Sequence, residues 1–150
     1  MEIERKFLIK SLPDLENVSY HEIEQAYLCT GPVIRIRKQD TEYYLTYKAK
    51  GFLAREEYNL PLTKEAYEHL IKKADGNIIT KKRYLIPYLS YTIELDIFEG
   101  KFSGLVIAEV EFQTTDEAQN FKAPEWFEED VTYDEKYHNS YLSSFNNHHT

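Results

Sequence analysis

Apolar and polar residues alternate with a period of two over most of this chain, and on seven of those stretches the polar face carries charge. Side chains at i and i+2 of a strand point the same way, so such alternation predicts strands with one apolar and one charged side. It places strands near 2–9, 21–29, 32–39, 42–49, 55–61, 78–86, 91–98 and 105–113. Val, Ile, Tyr, Phe and Thr fill them, and Gly31-Pro32, Gln39–Thr41, Gly51 and Gly100–Gly104 supply turns between them. Helical spacing is rarer. Thr63 is placed to cap a helix over Lys64–Ala74, and Thr115 or Asp116 to start a short one to about Lys122. Asp134 is placed to start a last helix to about Phe145. The expected class is α+β, with short connections that favour a largely antiparallel sheet.

The charges fall into sets. Glu2, Glu4 and Lys6 share a face, as do Arg35 and Arg37, and Lys48 stands beside Thr46. Arg55 pairs with Glu57, Lys81 with Arg83, Glu94 with Asp96, and Glu109 with Glu111. For one strand alone, a solvated outer face gives the same pattern. Surface sheets, however, usually intersperse signs, whereas here basic and acidic strands are segregated. If the charged faces converge on one interior, seven cations meet seven carboxylates. Such a lumen must be wet or ligand-filled, because ions buried without partners are prohibitive. Arginine forks and lysine point charges suit a polyanion, and carboxylate oxygens suit Mg²⁺ or Mn²⁺.

Composition narrows the classes further. With 26 acidic against 18 basic residues the formal charge is −8, opposite to that of a general nucleic-acid binder. Cys29 is the single cysteine, so neither an internal disulfide nor a multi-cysteine metal site is available, and it is expected to be a buried strand thiol. No uncharged apolar run approaches a membrane span and the N-terminus has no secretory core, so a cytoplasmic protein with no membrane partner is expected. The 150 residues suit one domain. His21, His69 and His138 lack ligand-like spacing and are expected at the surface, and His148-His149 in a frayed end.

The opening Glu2-Ile3-Glu4-Arg5-Lys6 resembles the N-terminal ExExK signature of the CYTH superfamily, the triphosphate tunnel metalloenzymes. The resemblance continues in order through Gln25-Ala26-Tyr27-Leu28, Arg35-Ile36-Arg37, Tyr47-Lys48 and Arg55-Glu56-Glu57-Tyr58. It then runs through Lys81-Lys82-Arg83-Tyr84, Glu94-Leu95-Asp96 and Glu109-Val110-Glu111, and reaches Glu125-Trp126-Phe127, Val131-Thr132, Tyr137 and Asn139. It implies an eight-stranded antiparallel β-barrel, the triphosphate tunnel, with flanking helices and a C-terminal helix. It implies metal-dependent hydrolysis of a linear triphosphate, inorganic tripolyphosphate above all, or a related reaction on a nucleoside triphosphate. The family name also covers class IV adenylate cyclases and thiamine triphosphatases.

Roles follow from the same resemblance. Arg35, Arg37, Lys48, Arg55, Lys81 and Arg83 would bind the triphosphate, with Lys136 of the C-terminal helix a further candidate. Glu2, Glu4, Glu94, Asp96, Glu109 and Glu111 would surround one or two Mg²⁺ or Mn²⁺ ions. Lys6 would bind phosphate, or assist proton transfer if its pKa is lowered, with Glu4 beside it and Tyr27 a candidate partner. The chain departs from the pattern at Asn59, where relatives often carry an acidic residue, and at Glu135-Lys136-Tyr137-His138, where they are more basic. A cyclase would need an adenine pocket that nothing in the sequence marks, and a non-catalytic polyphosphate-binding module could dispense with the acidic set. Outward tyrosine-rich strands would allow a homodimer.

Overall fold

The computed structural model describes residues 1–144. Phe145 and the His148-His149 end therefore lie outside the described residues. The strands are β1 (Glu2–Ile9), β2 (Tyr20–Thr30), β3 (Val33–Gln39), β4 (Glu42–Lys48), β5 (Ala54–Arg55) and β6 (Glu57–Pro61). They continue with β7 (Asp75–Tyr88), β8 (Tyr91–Phe98), β9 (Val106–Phe112) and β10 (Phe127–Asp130). Helices α1 (Lys64–Ile71), α2 (Thr115–Gln119) and α3 (Asn139–Ser144) lie between or after them.

All neighbouring strands pair antiparallel in one sheet, in the order β10-β1-β9-β8-β7-β2-β3-β4-β6, and β5 pairs back onto β1. β5 and β6 are separated only by Glu56. That single segment leans on β1 through Glu2↔Arg55 and on β4 through Lys48↔Glu57, completing the ring of eight wall segments. The tunnel expected as a closed barrel is thus approximated, with a seam. The segment takes one partner at a time, because five residues of β6 follow β4 while only two of β5 reach β1.

Alternation then decides what is inside. The outward rows are apolar and covered. Ile3, Phe7, Ile93, Leu95, Ala108 and Val110 pack under Ala118 of α2 and Phe127 of β10. Ala26 and Ile36 pack under Tyr67 of α1. Thr63 caps α1 as expected, its hydroxyl accepting from the Ala66 N–H at 3.0 Å, and α1 ends at Ile71, three residues short of the prediction. Helix α2 is capped by Thr114 and ends at Gln119.

Two further differences have causes in the packing. β10 was not expected, because Phe-Glu-Glu-Asp offers one apolar residue and three exposed carboxylates; Phe127 anchors it in the core, and Arg5 of β1 grips Asp130 at 2.7 Å. The helix expected from Asp134 is broken into a 3₁₀ turn, Glu135–Tyr137, and α3. His138 between them is extended, and its ring Nε2 lies 2.8 Å from the Thr132 carbonyl.

Helix α3 is seated on β7 by a close approach. Gly76 holds φ +73°, and a Cβ there would collide with the Ser143 carbonyl. Beside it the Asn77 side chain donates to the Leu142 carbonyl at 3.0 Å. Gly76→Ala is expected to destabilise the protein by about 1–3 kcal/mol, read as a lower thermal midpoint, because both strain and collision oppose it. An unchanged midpoint would show that α3 is not held there.

Candidate active site

The inward rows converge on a cavity of about 240 Å³. The register explains which side chains meet. Lys6, Glu109 and Glu94 lie opposite one another across β1, β9 and β8, and Glu4 lies opposite Glu111. Arg83 faces Asp96 across β7 and β8, while Gln25 and Tyr27 of β2 face Arg37 and Arg35 of β3. Along β7, β8 and β9 the charged rows run into an apolar layer of Ile79, Phe98 and Ile107, on which Leu142 of α3 packs with Tyr27 and Val33.

Most of the charges are already paired. Lys6 Nζ lies 2.6 Å from Glu109 and 3.2 Å from Glu4. Lys48 lies 3.0 Å and Arg55 3.6 Å from Glu2. Arg83 grips Asp96 with two nitrogens at 2.8 and 2.9 Å and touches Glu94 and Glu109 at 3.3 Å each. Lys81 sits 2.7 Å from Asp96. These partners set the protonation states. Burial opposes the charge on Lys6, but Glu109 and Glu4 outweigh it and raise the ammonium pKa. Burial likewise opposes charge on Glu109 and Asp96, yet Lys6 and Arg83 hold the first well below the carboxylate range, and Arg83 and Lys81 lower the second. Lys81 differs. Burial, with repulsion from Arg83 and Arg37, pulls it down to about 7 even against Asp96.

Three carboxylates shift the other way. Burial raises Glu2, Glu94 and Glu111, and like charge adds to it. Glu111 feels Glu2, Glu94 and Glu4; Glu94 feels Glu109, Asp96 and Glu4. Mutual repulsion among oxygen donors is what a hard divalent cation relieves. Among the described residues no three potential ligands stand in ready-made coordination geometry. The donor chemistry fits such an ion, and the carboxylates would have to close on it.

Two arginines lack acidic partners. Among the described residues neither Arg35 nor Arg37 forms an ion pair with a carboxylate. Arg35 donates from Nη2 to the Thr46 hydroxyl at 3.2 Å, and its buried Nε has no partner. Arg37 donates from Nε to the Gln25 carbonyl oxygen at 2.9 Å. Burial, then repulsion from Arg35 and Arg83, lowers the Arg37 pKa to about 9. One wall of the lumen therefore holds excess positive charge and another holds crowded carboxylates.

A model of the CYTH domain family matches residues 1–145. The chain belongs to the CYTH domain family. An inorganic triphosphatase of Nitrosomonas europaea is 40% identical over 147 residues, spanning 95% of this chain and 96% of that protein. One of Acetivibrio thermocellus is 37% identical over 151 residues, spanning 94% and 92%. The crystal structure of an inorganic triphosphatase superposes with a TM-score of 0.72 at 36% identity, covering 97% of this chain and 96% of the other. Family membership implies a divalent metal.

Within this CYTH chain, Glu2, Glu4, Lys6, Tyr27, Arg35, Arg37, Lys48, Arg55, Lys81, Arg83, Glu94, Glu109 and Glu111 all line the cavity. Asp96 does not line it: the side chain is fully buried behind Arg83 and Lys81. Lys136 does not reach the cavity either. It is exposed and lies 3.8 Å from Asp134, because the 3₁₀ turn points it outward. His138, expected at the surface, is buried and lines the cavity with Asn139 and Ser140. Cys29, expected buried, is exposed, just past an irregularity in the β2–β3 register. Two site residues had no assigned chemistry in the sequence. Asn139 Oδ1 accepts from Lys81 Nζ at 2.8 Å and from Gln25 Nε2 at 2.9 Å, tying α3 to β7 and β2. Both stand in the matched motifs, Gln25 on the Tyr27 face and Asn139 at the start of α3, but the resemblance attached no role to them. No helix among the described residues is long and apolar enough to cross a membrane.

Proposed function

We propose that this protein hydrolyses a linear triphosphate, inorganic tripolyphosphate, with Mg²⁺ or Mn²⁺, in the cytoplasm and without a nucleic-acid or membrane partner. The observation that carries the reading is the division of the lumen. Arg35 and Arg37 are buried cations with neutral partners only, and they stand in the same cavity as the crowded carboxylates Glu2, Glu94 and Glu111. A polyanion satisfies the first group and a divalent cation the second. Both curated relatives described above are named inorganic triphosphatase.

The residues divide the work. Arg35 and Arg37 grip one end of the chain of phosphates, and Lys48, Arg55, Lys81 and Arg83 follow its length. Glu2, Glu4, Glu94 and Glu111 would hold the metal, which would supply charge neutralisation at the scissile phosphoryl group. Glu109 is committed to Lys6 and Arg83, and Asp96 to Lys81 and Arg83, so both act by fixing those cations. Lys6, held protonated by Glu109 and Glu4, serves as a fixed positive charge rather than as a base. Glu4 stands beside it and orients the attacking water. Tyr27, whose hydroxyl lies 3.4 Å from Gln25 Nε2, faces the phosphates. Water oxygen bonds to the terminal phosphorus, the phosphoanhydride P–O bond breaks, and phosphate and pyrophosphate leave, one proton of the water staying on the phosphate and the other passing to solvent. Lys81 is the cation nearest to losing its charge at neutral pH, and a bound polyanion would draw a proton onto it.

The test is a substrate panel of tripolyphosphate, ATP and thiamine triphosphate with each metal and with chelator. Phosphate release from tripolyphosphate, lost in chelator and regained with metal, is expected; no release from any combination overturns the reading. The raised pKa of Glu94 and Glu111 adds a sign. Protons compete with metal for these carboxylates, so the Mg²⁺ concentration giving half the maximal rate should rise as pH falls from weakly alkaline to weakly acidic. Equal Mg²⁺ demand at both would remove Glu94 and Glu111 from the metal site.

A further inference from the structure

Arg35 differs from the other lumen cations in what lies across from it. Arg35, Thr46 and Asn59 form one cross-strand row over β3, β4 and β6. The Thr46 hydroxyl accepts from Arg35 Nη2 at 3.2 Å and donates to Asn59 Oδ1 at 2.6 Å. Asn59 Nδ2 points to Glu57 at 3.4 Å. The next row reads Val33, Lys48, Glu57, and there the cation does face a carboxylate. At the β6 end the second row carries an acid beside its cation, whereas the first carries an amide, with Thr46 between it and Arg35.

The placement gives the amide a purpose. Thr46 is fully buried and has one hydroxyl, which accepts from the guanidinium and donates its own O–H to Asn59 Oδ1. The guanidinium is thereby fixed while its Nε remains unpartnered in the cavity wall. Every other basic side chain in the cavity except Arg37 is at least partly neutralised by an acid. The charged groups facing Arg35 are Lys48, Arg37 and Glu57. Arg35 helps lower the Glu57 pKa, so the field of Arg35 already reaches the β6 edge.

We propose that Thr46 and Asn59 are positioning residues that hold Arg35 without neutralising it, making Arg35 the seat at which an anion binds before, and without, metal. This rests on the polyanion reading of the lumen. An acid at position 59 would occupy the same row, and its charge would compete with the incoming anion. At that range, in a partly solvated wall, one added charge changes anion affinity by about tenfold.

The experiment compares wild type, Asn59→Asp and Asn59→Gln in chelator. Tripolyphosphate and, separately, sulfate are titrated by calorimetry and by their rise in thermal midpoint. KM and kcat for tripolyphosphate with Mg²⁺ are then measured. Position 59 is exposed on an edge strand, so all three are expected to fold with similar midpoints without anion. Asn59→Asp should bind both anions about tenfold more weakly and raise KM by a like factor, with kcat changed by less than about threefold. Asn59→Gln, still neutral, should bind within about threefold of wild type. Equal binding by Asn59→Asp and wild type overturns the proposal. So does Asn59→Gln as weak as Asn59→Asp, which would mean a merely structural role, or no metal-free anion binding by wild type. Intact binding differences with no hydrolysis by wild type would leave this proposal standing and defeat the triphosphatase reading instead.

Discussion

Asp96→Ala is expected to lower the folding free energy by about 3–5 kcal/mol, the largest stability effect of any lumen substitution, because it removes the buried partner shared by two buried cations. Arg83 loses a two-pronged grip and Lys81 its 2.7 Å partner, in a place where the Asp96 side chain has no exposure at all. Burial alone would raise the Asp96 pKa, but Arg83 and Lys81 lower it below 3.8. A depressed acid contributes stability above the unfolded pKa and loses it as pH falls through the folded one, so the full effect is present at neutral pH. Denaturant titration of wild type and variant at neutral pH measures it. The same experiment separates two roles for Asp96. A metal ligand would leave metal-free stability nearly intact and weaken metal binding; a hidden anchor for Arg83 and Lys81 does the reverse.

Arg37→Ala should have the opposite profile. Activity, as kcat/KM on tripolyphosphate, is expected to fall by about 10²–10³-fold, the usual loss when one donor to developing phosphoryl charge is removed. Arg37→Lys should recover little of it, since a point charge replaces a fork. Stability without anion should not fall. Burial and the neighbouring Arg35 and Arg83 lower the Arg37 pKa to about 9. A base lowered on folding disfavours the folded state at every pH where it stays charged, including neutral pH. Removing it relieves that opposition while freeing the Gln25 oxygen. Steady-state kinetics beside thermal melts give both readings. A variant that is active, or one that melts well below wild type, would contradict the assignment.

The fold was legible where alternation was strong. Rows such as Ile34/Ile36 against Arg35/Arg37 fix both a strand and its two faces, and the ordered motifs fixed which faces meet. Legibility failed where tertiary contacts overrode local pattern. β10 depends on Phe127 reaching the Phe7 cluster across the sequence, and the last helix breaks because His138 turns to the Thr132 carbonyl. In the site, alternation assigned Asp96 correctly to the inner face of β8. Depth is a different matter: whether an inward acid reaches the cavity or is covered depends on how Arg83 and Lys81 fold over it. Lys136 failed for the same reason, since the turn that carries it sets its direction. Gln25 and Asn139 were invisible as a pair because no pattern links residues 114 positions apart.

The internal pairing of lumen charges bears on how the protein is made. Lys6 with Glu109, Lys48 with Glu2 and Arg83 with Asp96 serve as one another's counter-ions, so the wall is close to neutral before anything enters it. Small metallo-domains whose ligands have no such counter-ions remain unfolded until their metal arrives. This chain carries its own. A newly synthesised copy can therefore reach its native form under metal starvation and stand ready; on the metal-dependent reading proposed above, metal supply would then govern turnover and leave the number of folded molecules untouched.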